Sequence, residues 1–190
     1  MHGGTPPPPP PKPRGRVGCD HAPRRALWHA LDSLARVRRE APLPALSVPY
    51  DYDRHYERVK WRQDAQAEML RECSHRMRSL PHVHNRGALD RAGVVAEQLA
   101  AQVHLWPSDP PNVGSQVFGV SQLEAAAAGC ALVLSDVECF PEVFGGAAEI
   151  LPTIGTFVPA PDEEDGTRVS AEDYAAVVVE LLTEPEKWAE

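Results

Sequence analysis

The stretch 116-QVFGVSQLEAAAAGCALVLSDVECFPE-142 decides how this chain folds. Phe118 to Ala128 is free of proline and rich in alanine, which predicts a helix, and Gly129 stands where a left-handed C-terminal cap belongs. Ala131 to Ser135 follows as an apolar run, the pattern of a strand covered on both faces of a parallel sheet. Within the helix, Glu124 is an acid among Leu123 and four alanines. It either faces solvent or points into a cleft and accepts hydrogen bonds from a ligand, as a carboxylate does with the hydroxyls of a ribose.

Outward from that stretch the alternation continues. Upstream lie a strand at His82 to Asn85, a helix at about Asp90 to Ala101, a strand at Val103 to Trp106 and a Pro/Gly-rich loop from Pro107 to Ser115. Downstream, Ala148 to Leu151 and Thr156 to Val158 read as short strands. The last helix opens on Ser170 as N-cap with Asp173 three residues on, and runs to Leu182. Nearer the N-terminus, Ala22 to Glu40 reads as a helix, Ala45 to Tyr50 as a strand whose pairing ends at Pro49, and Arg54 to Ser79 as one long, partly exposed helix. Strands alternating with helices predict an α/β fold, a single Rossmann-like, doubly wound parallel sheet. In such sheets ligands bind beyond the carboxyl ends of the strands, which directs attention to the start of the helix near Phe118. There Gly114 and Gly119 permit close backbone approach, and free helix-start amides favour phosphate oxygens.

The 190 residues suit one domain, 17–190, behind a proline-rich lead, 1–16, whose six prolines from Pro6 to Pro11 exclude helix and sheet interior. The first strand of the domain is expected to be replaced by that lead. Mean hydropathy of −0.35 and the lack of a long apolar run argue against a membrane span. Residues 1–91 hold 17 of the 19 Lys and Arg against 10 Asp and Glu, and the remainder holds 2 against 17. Because the bases of the first half are interspersed with acids along two helices, they read as a solvated face, not as a nucleic-acid surface. Cys19, Cys73, Cys130 and Cys139 lack CxxC spacing, which points to free thiols in a reducing, cytoplasmic compartment. His82 and His84 share a strand face but have no third ligand nearby, so they read as packing or surface residues and no metal is expected.

Phe118, Gly119, Glu124, Ala128, Gly129, Ser135, Asp136, Pro141 and Glu142 stand in the register of the donor-site signature of the retaining GT-B glycosyltransferases of group 1, family 4. The segment resembles that signature, and the resemblance implies the C-terminal, donor-binding half of a GT-B fold. It implies that Glu124 holds the ribose hydroxyls of a nucleoside diphosphate sugar, and that Phe118, Gly119 and the amides near Val120 lie against the diphosphate and sugar. Gln116 stands where the family carries its first Glu. An amide keeps hydrogen-bonding capacity but loses the charge that would stabilise a developing cation.

More faintly, APRRALWHALDSLARVRREAP resembles the family's first helix and puts Arg25 at the place of a diphosphate-binding arginine; from the residues alone it is equally a surface charge. VHNRGALDRAGV resembles the loop that borders the nucleobase, around His84 to Arg86, and Trp106-Pro107-Ser108 resembles the end of the preceding strand. The resemblance implies transfer of a glycosyl group from a nucleotide sugar without a metal cofactor. It also implies a missing acceptor-binding domain, supplied by a separate domain or chain. The alternative is a non-catalytic or truncated module of the same fold. A dinucleotide-dependent oxidoreductase is disfavoured because no GxGxxG follows a strand.

Overall fold

The computed structural model describes residues 15–19, 27–40, 45–59, 61, 65–107, 118–137, 139–151 and 170–184. Six parallel strands form one sheet in the order β3-β2-β1-β4-β5-β6: β1 (Arg16–Gly18), β2 (Ala45–Val48), β3 (Val83–Asn85), β4 (Val103–Trp106), β5 (Ala131–Ser135) and β6 (Glu149–Leu151). This is the strand order of a Rossmann-like doubly wound fold, in which the chain reverses its direction of travel between β1 and β4.

Two cores cover the two faces. On one, α1 (Leu27–Glu40), α2 (Tyr52–Val59), α3 (Ala65–Ser79) and α7 (Ala171–Thr183) bury Leu27, Leu31, Leu34, Tyr52, Leu70 and Tyr174 against Val17, Leu46, Val103, Leu105 and Val133. On the other, α5 (Val120–Ala127) and α6 (Phe140–Phe144) bury Ala125, Phe140 and Phe144 against Trp106, Leu132 and Leu134. Along β4 and β5 the alternation is thus apolar on both faces, which explains why those strands read as continuous hydrophobic runs.

Over β1 and β2 the second face is different. There the sheet offers Gly18 and Ser47, and α4 (Arg91–Ala100) settles on them through Glu97. A Cβ at Gly18 would lie 3.3 Å from that of Ala101, so the backbone of β1 runs close beneath the end of α4. The buried Glu97 carboxylate accepts the Ser47 hydroxyl and the Arg16 guanidinium (2.9 Å) on Oε2, and Arg86 Nε (2.8 Å) on Oε1. A carboxylate in this position needs such donors, because burying an unpaired charge is costly.

Local signals hold where they are chemically specific. Ala101 and Gln102 connect α4 to β4, and Gly129 has φ 76° and closes α5 with amides of Gly129 and Cys130 donating to Ala126 and Ala125 carbonyls, a Schellman pair. Ser170 and Asp173 form the expected capping box on α7, and Asp90 caps α4 by accepting from the Gly93 amide at 2.8 Å. The Cys130 thiol donates to the Gln98 carbonyl at 3.2 Å, and none of the four cysteines forms a disulfide. Among the described residues no helix is long and apolar enough to cross a membrane, and no group of three or more His, Cys, Asp or Glu is placed to hold a metal.

Three expectations are corrected. The first strand is not replaced by the proline-rich lead: β1 begins at Arg16 and lies at the centre of the sheet, with Val17 fully buried. Three residues with a single apolar side chain carry no periodicity from which a strand can be read. The segment from Arg54 to Ser79 is two helices, α2 and α3, which pack on one another; Trp61 Nε1 donates to the Arg58 carbonyl at 2.9 Å and satisfies the end of α2. The third is an omission, the short helix α6, in which Pro141 occupies the first turn, where no intrahelical amide donor is required. Strand β2 ends at Val48, just before Pro49, and the strand expected at Thr156 to Val158 lies outside the described residues.

Glu97→Ala leaves Ser47 and the stems of two arginines without their acceptor. The half-exposed guanidiniums regain water, so we expect a loss of roughly 2–3 kcal/mol, below that for a fully buried pair. Urea denaturation checks it; a midpoint unchanged from the parent chain contradicts the role assigned to Glu97.

Candidate functional site

The reversal between β1 and β4 opens the carboxyl edge of the sheet, and α5 begins there. Gly119, its N-cap, has φ 71° and ψ 49° and, as a glycine, offers no side-chain cap to the helix. The amides of Val120 and Ser121 precede the first intrahelical acceptor, the Gly119 carbonyl, which takes the Gln122 and Leu123 amides at 3.1 Å. Beside them are the side chains of Phe118 and Val120, which are 54% and 60% exposed although both are large and apolar. Such amides and apolar side chains at one helix start suit a ligand that is anionic at one point and apolar at another.

Glycine is required at position 119 for two reasons. Its φ lies in the left-handed region, and a Cβ there would stand 2.7 Å from Phe140 and 2.9 Å from Gln122 Oε1. Phe140 and Phe144 meet edge to face at 5.5 Å, and Phe140 meets Trp106, the last residue of β4, at 6.3 Å. Helix α6 therefore fixes where α5 begins relative to β4. Sequence reasoning missed this contribution; the available signal was the pair Phe140 and Phe144 at i, i+4 around Pro141. Gln122 is fully buried in the first turn of α5, and among the described residues its Nε2 has no hydrogen-bond partner.

Glu124 was left open between solvent and cleft. It is partly buried and turns toward α4, where Arg91 Nη1 meets its Oε1 at 2.7 Å. The hydrogen bond from Arg91 holds the Glu124 carboxyl below the usual carboxylate range, against a smaller opposing effect of burial. Gln98 adds a second hydrogen bond to the carboxylate and lowers its pKa further; the two partners leave Glu124 ionised, and a carboxylate has lone pairs enough to accept more than these. Arg91 was not among the residues singled out from sequence. Its signal was positional: an arginine at a helix N-terminus opposes the helix dipole and calls for an acidic partner.

The loop after β3 is shaped by Asn85, whose Oδ1 accepts the Gly87 amide at 3.1 Å, with Gly87 at φ 67°. His84 and Asn85 are exposed, while the Arg86 guanidinium turns back to Glu97. His82 contacts Arg38, and burial pushes its imidazole pKa down with Arg38 adding to the effect. The structure thus brings Phe118, Gly119, Val120 and Glu124 together on α5. Arg25 and Gln116 lie outside the described residues, so their placement beside this group is not part of the geometry.

Because the folded pKa of Glu124 is depressed, the stability from its pair with Arg91 is present above the ordinary carboxylate range. It is lost as pH falls through the lowered value. In a carboxyl-carbon NMR titration Glu124 is expected to titrate low, and Arg91→Gln to return it upward; an unchanged titration in the variant contradicts the pairing.

No family model matches the chain. Over 132 residues it is 29% identical to a phosphatidyl-myo-inositol mannosyltransferase of Mycobacterium tuberculosis, covering 68% of this chain and 30% of that protein. The chain spans 19% to 30% of the length of the curated relatives it matches. Among solved structures, Anabaena HepE in complex with UDP and glucose superposes with a TM-score of 0.62 at 14% identity, over 93% of this chain and 41% of that one. The C-terminal domain of a glycosyl transferase group 1 family protein, LpcC, from Francisella tularensis gives 0.58 at 14% identity, over 90% of this chain and 76% of that one. The sequence relatives of this chain are glycosyltransferases, and its fold matches the Rossmann-like domains of GT-B proteins.

Proposed function

We propose that this chain binds a nucleoside diphosphate sugar at the start of α5 and serves as the donor-binding part of a glycosyltransferase. One observation carries the reading: Gly119 starts α5 in the left-handed conformation at the strand-order reversal, with no side-chain cap of its own over the first amides, and Glu124 one turn on is an ionised carboxylate held by Arg91 and Gln98. The diphosphate would meet the amides near Val120. The ribose hydroxyls would donate to Glu124. Phe118 would cover the donor from the solvent side. That HepE was solved with UDP and glucose, and that the mycobacterial relatives are mannosyltransferases, supports a nucleotide sugar as the ligand class.

Arg25 and Gln116 complete the proposal from sequence. Arg25 would bond diphosphate oxygens through its planar fork. Gln116 would orient a sugar hydroxyl without stabilising positive charge on the ring. The acceptor side would come from a further domain or chain, and no metal takes part in binding.

A second reading is favoured by Gln116: an amide where the family signature has a carboxylate suits a module that binds the donor without turning it over. Isothermal titration with UDP, GDP and their sugars, repeated in EDTA, tests the first reading. At least one is expected to bind, with or without EDTA. Glu124→Ala is expected to weaken that binding about 10- to 100-fold, the worth of hydrogen bonds to a charged acceptor. Absence of binding by the parent chain, or equal binding by the variant, defeats the reading. Donor hydrolysis that appears or rises in Gln116→Glu would assign the inactive state to the missing charge.

A further inference from the structure

A cavity of about 380 Å³ opens at the same carboxyl edge, on the other side of β1, between the start of α2 and the loop after β3. Its walls include Tyr50, Asp51, Arg54, His55, Arg58 and Leu89. In the sheet β2 lies two strands from β4, about 10 Å away, so this cavity stands beside the start of α5 and shares with the proposed nucleotide site only the loop after β3.

The charges of the wall are unbalanced. Arg54 and Arg58 are four residues apart on α2 and share a helix face, where like charges repel. Among the described residues, Arg16, Arg36, Arg71, Arg76, Arg78, Arg86 and Arg91 each pair with a carboxylate; no described carboxylate pairs with the guanidinium of Arg38, Arg39, Arg54 or Arg58, and of these four only Arg54 and Arg58 wall the cavity. Asp51 is the one carboxylate of the wall, and its Oδ1 accepts the Arg54 backbone amide at 2.9 Å. Asp53, the next acid along the helix, is taken by Arg78 of α3 at 2.9 Å. The remaining wall is apolar or aromatic: Leu89 on one side, and on the other the Tyr50 ring, held edge to face by Tyr52 at 5.0 Å and near His55 at 6.3 Å.

Two guanidiniums four residues apart present donors to several oxygens of one dianion, and a phosphate accepts them with the charge complement that the wall lacks. The volume exceeds what a bare phosphate fills and is of the size that holds a small organic ligand. We propose that this cavity binds a phosphomonoester, its phosphate on Arg54 and Arg58 and its organic part against Tyr50 and Leu89. The phosphate is that of a soluble ester or of a lipid headgroup, two sources of the same chemistry.

The test is an amide NMR titration of the full chain with glucose 6-phosphate. A parallel co-sedimentation uses phosphatidylcholine vesicles with and without phosphatidic acid. Saturable shifts at Tyr50, Arg54, Arg58 and Leu89 assign a soluble ester; sedimentation that needs phosphatidic acid assigns a lipid. In either case the double variant Arg54→Gln/Arg58→Gln is expected to weaken the response at least about tenfold, a loss of about 1.4 kcal/mol. Its melting temperature and its titration with nucleoside diphosphates should stay those of the parent. No response to either probe, or a response undiminished in the double variant, overturns the proposal. Because nucleotide binding is read separately, failure here is distinguishable from failure of the donor site.

Discussion

Glu97 gathers the middle of the sheet. Its carboxylate receives Arg16 from β1, Ser47 from β2 and Arg86 from the end of β3, while its own helix leads through Ala101 into β4. The face it covers has no bulk to exclude water: Gly18 and Ser47 are the residues β1 and β2 present there. A carboxylate with matched donors replaces apolar packing as the reason α4 docks in one place. The arrangement makes a three-residue strand with one apolar side chain a stable centre of a six-stranded sheet. With β1 fixed between β2 and β4, the reversal of strand order, and hence the open edge, follows.

At that edge the start of α5 is over-determined. Phe140, Phe144 and Trp106 fill the space a side chain at position 119 would occupy, and the backbone there has a positive φ. Such local constraint is common where a backbone must approach a ligand. Its counterpart is exposure: Phe118 and Val120 are exposed, and the N-cap Gly119 supplies no side-chain cap. Arg91 then sets the charge state and direction of Glu124 from the neighbouring helix. The two halves of the edge, basic around α2 and amide-lined around α5, differ in their chemistry and offer room for two different ligands.

Much of this was legible in the sequence wherever a residue type has one structural use. Gly129 announced its left-handed cap, Ser170 and Asp173 their capping box, and the apolar runs at Val103 and Ala131 their doubly covered strands. The motif around Phe118 to Glu142 directed attention to the start of α5, where the proposed site lies. What stayed hidden depends on tertiary partners or on shortness. Strand β1 has too few residues for a period. The break between α2 and α3 comes from packing of the two helices on one another, while their charge pattern is continuous. The partner of Glu124 sits 33 residues upstream, and only folding shows that Arg91 reaches it. The charged half of the chain read as a solvated face, and Arg54 and Arg58 are exposed as that reading expects; only the fold shows that these two wall one cavity.

The central claim is that the start of α5 is where a nucleotide sugar meets this chain. Hydrogen–deuterium exchange of the full chain, with and without saturating nucleoside diphosphate, addresses it most directly because it maps contact without relying on turnover. Slowed exchange confined chiefly to residues 118–124 and the loop after β3, with α7 unchanged, is the result expected. Protection elsewhere, with residues 118–124 unaffected at saturation, would contradict the account.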